Sequence, residues 1–441
     1  MLLVGNGTII TRDQNNTIIP NGAVCIRGEF ICEVGPLKIL KTKYKDATFI
    51  DAHGGLIMPG LINTHNHIYS AFARGLSIPG NHPTDFLQIL NGTWWRLDRK
   101  LTLKQVDLSA KAVYTECIKN GVTTVFDHHA SFGAIEGSLS VIGEAAKEYG
   151  VRSCLCYEIS DRDGQEKKLQ SIRENFEFMK ACKTDTTGML KAMIGMHASF
   201  TLSDETLGYC VEQNQGENGF HIHVAEGIQD AQHCQETYHM SIVKRLYQKG
   251  ILGRKTIAAH CVHIDETDME LLKETDTCVV HNPESNMGNG VGTTAVLPMY
   301  ERGIMLGLGT DGYTNDMLES MKVANLLHKH NSGNPSAAWA EIPDMIFKNN
   351  AEIAGRFFED PVGILKKGAY GDVIVLEYAP LTPMKKENIN SHLLFGMNGR
   401  NTITTIINGN LLMKDRELQH IDEAELMSQC REEALKLWQD L

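Results

Sequence analysis

Eight short apolar runs, separated by longer segments patterned as amphipathic helices, constrain the fold of this chain more than any other feature of its sequence. In chain order the runs are GLIMPGLINTH, TTVFDHH, RSCLCYEIS, KAMIGMHAS, GFHIHVAE, KTIAAHCVH, TCVVHNP and GIMLGLGTD. Near-continuous apolar strands that alternate with helices are typical of a parallel sheet covered on both faces. Eight such units within roughly 250 to 300 residues predict a closed (β/α)8 barrel of the TIM type rather than an open doubly wound sheet.

The two ends of the chain differ from this pattern. Residues 1–55 show β-branched alternation punctuated by Gly, Asn and Asp, and strand-like segments return in GDVIVLEY and ITTIINGNLLMKD. We therefore predict an α/β protein with two domains. The barrel covers 56–364, and a small β-sandwich domain with a C-terminal helix is built from both chain termini, 1–55 plus 365–441.

Charge and cysteine usage exclude several classes of protein. The formal charge of -12 argues against binding a nucleic-acid backbone, which requires clustered Lys and Arg, but leaves small nucleobase-like ligands open. The 11 cysteines are scattered and form no Cys-x-x-Cys, which predicts buried thiols in a reduced protein rather than a disulfide framework. No apolar run approaches the roughly 18–20 residues of a membrane span, and the N terminus turns polar too soon for a signal peptide. We expect a cytoplasmic protein without a membrane partner.

Polar side chains capable of chemistry follow most of the eight runs. They are His65 and His67; His128 and His129; Glu158; His197; His221, His223 and Glu226; His260 and His263; His281 and Asn282; and Asp311. More than half of the 18 histidines occupy these few positions. Because the carboxyl ends of all barrel strands converge on one pocket, we expect these side chains to form a single site.

The segment NTHNH places His65 and His67 two residues apart. On a strand both imidazoles then project from the same face and can reach one metal ion. The alternative is a pair of surface histidines on a loop. The apolar strand that directly precedes the pair favours the metal-ligand interpretation.

The segment HIHVAE repeats this spacing with His221 and His223, and Glu226 lies just beyond the strand end. A carboxylate there can sit beside the water that a metal activates without ligating the metal, as a proton shuttle must. The alternative for Glu226 is a solvated glutamate stabilised by a helix N terminus. His260 is at the end of another apolar strand. A lone histidine at such a position is more often a core residue whose ring nitrogens are hydrogen-bonded. Only the other polar residues at the strand ends favour a catalytic role for it.

The segment GLGTDG satisfies the G-x-G-x-x-G pattern of dinucleotide-binding loops. A dinucleotide fingerprint opens the first βα unit of a sheet, whereas this segment follows seven other strands, and Asp311 would repel a pyrophosphate. A carboxylate at this strand end can instead ligate a metal and hydrogen-bond the attacking water. Asp311 would then complete a set of three histidines and one aspartate with an open position for water.

Six motifs in this order resemble those of the amidohydrolase superfamily, and the resemblance covers nearly the whole chain. They are PGLINTHNH, TTVFDHH, HIHVAE, AAHCVH, HNPESNM and GLGTDG. The terminal segment GILKKGAYGDVIVLE matches as well, and the pattern resembles the cytosine/guanine deaminase and triazine chlorohydrolase branch. Within that branch, TWWRLDRKL and DHHAS are most similar to SsnA-type aminohydrolases.

The resemblance implies one divalent metal ion per chain, zinc first, with iron or manganese as alternatives. His65, His67, His223 and Asp311 would bind it, Glu226 would shuttle the proton, and His260 would orient the water or the tetrahedral intermediate. Dinuclear relatives carry a carboxylated lysine at the end of the fourth strand. Here that strand ends in MHAS and its only lysine, Lys191, lies at the opposite end, which favours one metal.

The predicted reaction is hydrolytic deamination of an amino-substituted, purine- or pyrimidine-like heterocycle. Hydrolytic opening of a cyclic amide or C–N ring bond is the alternative, and a non-catalytic binding relative is a remote one. The candidate substrate-binding residues are Tyr69, Arg74, Trp95, His128, His129, His197 and Asn282. The tryptophans have a second interpretation as helix core. Family habit suggests a homodimer.

Overall fold

The computed structural model describes all of residues 1–441 and contains eighteen strands and seventeen α-helices. The strands are β1 (Leu2–Ile10), β2 (Ile18–Arg27), β3 (Phe30–Pro36), β4 (Thr48–Asp51), β5 (Leu56–Pro59), β6 (Leu61–Asn66), β7 (Val122–His129), β8 (Arg152–Tyr157), β9 (Leu190–Ala192), β10 (Ile194–Ala198), β11 (Phe220–Val224), β12 (Ile257–His260), β13 (Cys278–His281), β14 (Leu306–Leu308), β15 (Val373–Leu376), β16 (Thr402–Ile407), β17 (Asn410–Lys414) and β18 (Glu417–Leu418).

The α-helices are α1 (Leu37–Lys43), α2 (Phe86–Ile89), α3 (Trp95–Asp98), α4 (Leu103–Lys119), α5 (Ser138–Tyr149), α6 (Gly164–Thr184), α7 (Asp204–Asn214), α8 (Ile228–Tyr238), α9 (Ile242–Gln248), α10 (Glu266–Glu274), α11 (Pro283–Gly288), α12 (Val296–Glu301), α13 (Met317–Ser332), α14 (Glu341–Asp344), α15 (Asn350–Ala354), α16 (Ile389–Gly396) and α17 (Glu423–Gln439). None of the helices combines the length and the apolar character needed to span a bilayer.

Strands β6 to β14 form the barrel. Parallel pairing links β6, β7, β8 and β9 in one arc and β10 to β14 in a second. Parallel bridges between Asn66 and Asp311 and between Ile159 and Met196 join the two arcs into a ring. The fourth barrel strand is interrupted at Met193 and comprises β9 and β10. The predicted (β/α)8 barrel is confirmed, and each of the eight apolar runs contributes a strand to it.

The first run, predicted as one barrel strand, is two strands that belong to different sheets. β5 pairs with β1 and β15 outside the barrel, whereas β6 pairs with β7 inside it. The break falls at Pro59 and Gly60, because proline cannot donate to a further ladder hydrogen bond. Gly60 also needs its missing side chain, since a Cβ there would lie 2.0 Å from the Thr123 hydroxyl.

Both termini build the second sheet, as the sequence predicts. Its nine strands run in the order β18, β17, β16, β15, β5, β1, β2 and β3, with β4 paired to β1. The helix α17 packs on barrel helix α4 rather than on this sheet, and the Trp438 indole donates to the Phe72 carbonyl at 2.7 Å. The domain boundaries at 55/56 and 364/365 stay predictions. Because β5 pairs within the sheet built by the termini, Gly60 is a better position for the boundary at the amino end of the barrel.

A buried ion pair joins the barrel to the sheet built by the termini, at the amino end of β8. The fully buried Arg152 Nε donates to Asp372 Oδ2 at 3.2 Å, and its guanidinium stacks 3.7 Å above the Tyr370 ring. Removing one partner of a buried pair leaves an uncompensated charge in a region of low dielectric. Asp372 is therefore expected to matter more for stability than any exposed carboxylate.

Asp372→Ala is expected to lower the free energy of unfolding by about 3–5 kcal/mol, because Arg152 would stay buried without its counter-ion. Urea denaturation followed by circular dichroism measures the change. Glu177→Ala, which removes an exposed pair with Lys180 at 3.3 Å, is the matched control. That control is expected to cost about 0–1 kcal/mol. Equal midpoints for the two variants would contradict a stabilising role for the buried pair.

Candidate active site

The histidines that follow the first and fifth barrel strands meet at the carboxyl end of the barrel. His67 Nε2 lies 3.1 Å from His223 Nε2 and 3.3 Å from Asp311 Oδ1. The His65 ring centroid is 4.8 Å from that of His67 and 5.1 Å from that of His223. All four side chains are nearly or fully buried, with at most 13% exposure for Asp311. The predicted ligands of the metal are thus brought together.

The chemistry of this cluster fits a divalent metal ion. Possible ligand atoms of His65, His67 and His223 lie within 4.8 Å of one another, as do those of His65, His260 and Asp311. His65 Nε2 is buried without any hydrogen-bond partner, a costly arrangement unless another group satisfies it. Burial, together with neighbouring imidazoles, lowers the pKa of His65 well below its usual value, so the ring is neutral and able to ligate.

The outer nitrogens of the site histidines fix their orientation. His67 Nδ1 donates to the His128 carbonyl at 2.6 Å, and His223 Nδ1 donates to the His197 carbonyl at 2.9 Å. His65 Nδ1 lies 2.8 Å from His221 Nε2. These contacts set the tautomer of His67 and His223 and leave each Nε2 free toward the centre, as in metal-binding histidines generally.

Asp311 is held at the eighth strand end by an unusual backbone. Its φ is 55°, a left-handed conformation that Asp tolerates better than most residues. The Asp311 amide donates to the His65 carbonyl at 3.0 Å, and the Gly312 amide donates to Asp311 Oδ1 at 2.6 Å. A Cβ on Gly309 would lie 2.5 Å from Asn282 Oδ1. The glycines of GLGTDG therefore permit close packing around Asp311, and neighbouring side chains fill the space that a phosphate would need.

Glu226 and His260 complete the cluster. His260 Nε2 lies 3.4 Å from Glu226 Oε2 and 3.5 Å from Asp311 Oδ2. His260 Nδ1 lies 2.8 Å from Asn286 Oδ1, and Asn289 donates to Glu226 Oε1 at 3.4 Å. Burial and then the charge of Asp311 raise the pKa of Glu226 well above its usual value. Such a carboxyl group holds a proton more readily than an exposed one, which suits a group that takes up a proton and passes it on.

A cavity opens directly above these groups. It is lined by His67, Tyr69, Ser70, Phe86, Leu90, Trp94, Glu158, His197, Ala198, Phe200, His223, Glu226, Gly227, Asp230, Ser285, Asn289, Asp311, Gly312 and Tyr313. Two of the predicted substrate-binding residues, Tyr69 and His197, line the cavity. The cavity has the mixed apolar and polar lining of a small-molecule site.

Five residues predicted to bind substrate lie elsewhere. Arg74 is exposed and pairs with Glu116, outside the cavity. His128 and His129 are fully buried and do not line the cavity. The His128 ring lies among the site histidines, 4.6 Å from that of His223 between centroids, and its Nε2 donates to the Met196 carbonyl at 2.9 Å. Nε2 of His129 lies 3.0 Å from the Ser131 hydroxyl.

The remaining two predicted residues do not line the cavity either. Trp95 stands back from the cavity and packs edge-on against His197, with 5.9 Å between the ring centroids. Asn282 is fully buried beside Gly309. The five assignments stay predictions, although none of these side chains lines this cavity, because position along the chain does not tell on which side of the strand end a side chain points.

Several cavity residues have no clear signal in the sequence. Ser285 and Asn289 follow the seventh strand, Asp230 lies in α8, and Tyr313 follows Asp311 in the chain. Only the motif HNPESNM, which precedes Asn289, could have drawn attention to the first two. Glu158 was recognised as the polar end of the third run, but its place in the cavity wall follows only from the structure.

The chain is similar to known proteins over nearly its whole length. A sequence profile of the amidohydrolase family matches residues 56–412. The 5'-deoxyadenosine deaminase of Methanosarcina mazei is 32% identical over 447 residues, covering 99% of this chain and 98% of the relative. The 5-methylthioadenosine/S-adenosylhomocysteine deaminase of Pelotomaculum thermopropionicum is 29% identical over 444 residues, again covering 99% and 98%.

Solved structures show the same fold. A zinc-bound adenosine deaminase from Xanthomonas campestris superimposes with a TM-score of 0.88 at 20% identity, covering 99% of this chain and 98% of that one. Atrazine chlorohydrolase TrzN from Arthrobacter aurescens, also complexed with zinc, gives 0.84 at 20% identity, covering 98% and 100%. The family resemblance and the fold class predicted from the motifs are confirmed. The chain belongs to the amidohydrolase family.

Proposed function

We propose that this amidohydrolase is a zinc-dependent hydrolytic deaminase that removes the exocyclic amine of an adenine-type nucleoside. The observation that supports this proposal most directly is the cluster at the floor of the cavity. It brings His67, His223 and Asp311 close to Glu226 and His260. The names of the curated relatives support the reaction, since the two relatives quoted above are deaminases of adenine nucleosides. The sequence alone predicts a purine- or pyrimidine-like heterocycle. We propose the narrower class of adenine nucleosides because of these names.

His65, His67, His223 and Asp311 would hold the metal ion. When bound, a divalent metal supplies a Lewis acid that lowers the pKa of water to about 7, which makes a nucleophile available at neutral pH. One ion per chain is favoured because the fourth barrel strand offers no lysine at its carboxyl end. Lys191 lies near the amino end of that strand, where it pairs with Glu359. Zinc is favoured by the donor set of three imidazoles and one carboxylate.

Glu226 would transfer the protons, and His260 would orient the water. Glu226 accepts a proton from the attacking water and passes it to the ring nitrogen beside the reacting carbon, so that ammonia leaves after a further proton transfer to the amine. His260 Nδ1 donates to Asn286 Oδ1, so the neutral ring leaves Nε2, beside Glu226 and Asp311, as an acceptor for a hydrogen of the water. That nitrogen orients the water for attack.

Aromatic side chains of the cavity suit a flat heterocycle. Phe86, Trp94 and Phe200 line it together with Tyr69, and Tyr69 contacts Trp94 edge-on with 6.0 Å between the ring centroids. Aromatic walls with a few polar groups are common in sites for planar ligands. The homodimer and the cytoplasmic location predicted from the sequence stay predictions.

The test is an ammonia-release assay of the zinc-loaded protein with 5'-deoxyadenosine, adenosine, guanine and a cyclic amide such as dihydrouracil. We expect ammonia and the corresponding 6-oxo product from one or both adenine nucleosides. Mass spectrometry of the products separates the reactions, because deamination replaces NH2 by OH whereas ring opening adds one water. Ring opening without ammonia would replace the proposal by the cyclic-amide alternative.

A further inference from the structure

A carboxyl group that the proposed mechanism does not use faces the cavity from the third barrel strand. Glu158 directly follows β8, is 3% exposed and belongs to the cavity wall. Its one hydrogen-bond donor is Arg162 Nη2, at 3.3 Å from Oε1. A buried carboxyl group has about four acceptor positions, so most of its capacity is unused and available to a ligand.

Arg162 does not depend on Glu158 for its place. The same Nη2 atom forms a shorter ion pair with Asp98, and Nη1 lies 3.3 Å from Asp163. The guanidinium also stacks 3.9 Å from the Phe132 ring. Two other carboxylates therefore hold Arg162, and Glu158 is the member of this group that reaches the cavity.

Every charged side chain of the cavity wall, the histidines aside, is acidic. These side chains are Glu158, Glu226, Asp230 and Asp311, and no Lys or Arg lines the cavity. Burial raises the pKa of Glu158 to about 8, an effect that the nearby Arg162 only partly offsets. The wall thus offers carboxyl oxygens that accept hydrogen bonds, and it has no basic side chain that would pair with an anion.

We propose, building on the proposed function, that Glu158 is a specificity-determining residue. Its carboxyl group accepts hydrogen bonds from a hydroxyl- or N–H-bearing part of the substrate. The site thereby selects uncharged, donor-rich nucleosides or heterocycles over those that carry a phosphate or a carboxylate. The same wall disfavours an anionic substituent, because it holds no Lys or Arg that could pair with a phosphate or a carboxylate.

Binding to a catalytically silenced protein tests this independently of turnover. Zinc-loaded Glu226→Gln protein is titrated by calorimetry with adenosine and with adenosine 5'-monophosphate, and the titrations are repeated after adding Glu158→Leu. We expect adenosine to bind Glu226→Gln at least about tenfold more tightly than the monophosphate. Glu158→Leu is expected to weaken adenosine by about tenfold to a hundredfold and to weaken the monophosphate less, so that the ratio of the two affinities falls.

Glu136→Leu is the matched control, because Glu136 is an exposed glutamate that pairs with Arg173 at 2.7 Å. Its two affinities are expected to equal those of the parent. If Glu158→Leu loses zinc or has a lowered melting temperature, the same titrations are carried out with Glu158→Gln. We expect the ratio of adenosine affinity to monophosphate affinity to fall several-fold in that variant.

An unchanged ratio in a folded, zinc-loaded Glu158 variant would overturn the inference. So would monophosphate binding as tight as that of adenosine, or no binding of adenosine. The proposed function fails by a different observation, namely absence of ammonia in the assay of the wild-type protein, whatever the binding ratio.

Discussion

Replacing Glu226 with glutamine is expected to lower kcat of the zinc-loaded protein by about 10²–10⁴-fold, the usual contribution of a positioned general acid–base group. Glutamine keeps the size of the side chain and can still pair with Asn289, which lies 3.4 Å from Glu226 Oε1. It cannot take up a proton from the water or return it to the ring nitrogen. Steady-state ammonia release gives kcat, and mass spectrometry gives the zinc content.

Zinc content and substrate affinity are expected to stay near those of the wild-type protein in this variant. Glu226 stands beside the cluster rather than in either group of atoms that could hold a metal. Glu136→Gln, at an exposed position, controls for the loss of a carboxylate as such. Turnover near the wild-type rate would show that Glu226 is not the proton shuttle. Loss of zinc would show instead that its role is in the metal site.

The periodicity of strands made much of the metal cluster predictable. His65 and His67, and likewise His221 and His223, are two residues apart, and a strand places such residues on one face. The barrel then brings the strand ends together whatever the length of the crossovers. For this reason Asp311, almost 250 residues after His65 in the chain, could be assigned to the same site before any contact was known.

The cavity wall was less predictable because it is made by loops and short helices. His128 and His129 are the last two residues of β7, yet neither ring lines the cavity, because each forms a hydrogen bond with another buried group. Arg74 points outward because Glu116 on α4 offers it an ion pair there. Such choices depend on partners from distant parts of the chain. The division of the first run at Gly60 has the same origin, since the pairing of β5 with β15 involves residues more than 300 positions apart.

Removing the Asp311 carboxylate is expected to abolish both zinc retention and activity. Asp311 Oδ1 lies 3.3 Å from His67 Nε2, and Oδ2 lies 3.5 Å from His260 Nε2, so this one group faces both the metal ligands and the residue that orients the water. Loss of a partner that only supports a ligand costs about 10–100-fold in metal affinity. Loss of a ligand itself is therefore expected to cost more than about 100-fold.

Two variants separate the carboxylate from the backbone on which it sits. Alanine at φ 55° would add strain of about 1–2 kcal/mol, whereas asparagine tolerates this conformation and keeps the shape of aspartate. Asp311→Asn is thus expected to retain the melting temperature of the metal-free wild-type protein while zinc per chain and ammonia release fall together. Added NAD should change neither quantity, because side chains of Asn282 and His65 fill the space beside Gly309. Full zinc occupancy in Asp311→Asn would remove Asp311 from the metal site, and a response to NAD would restore the nucleotide interpretation of GLGTDG.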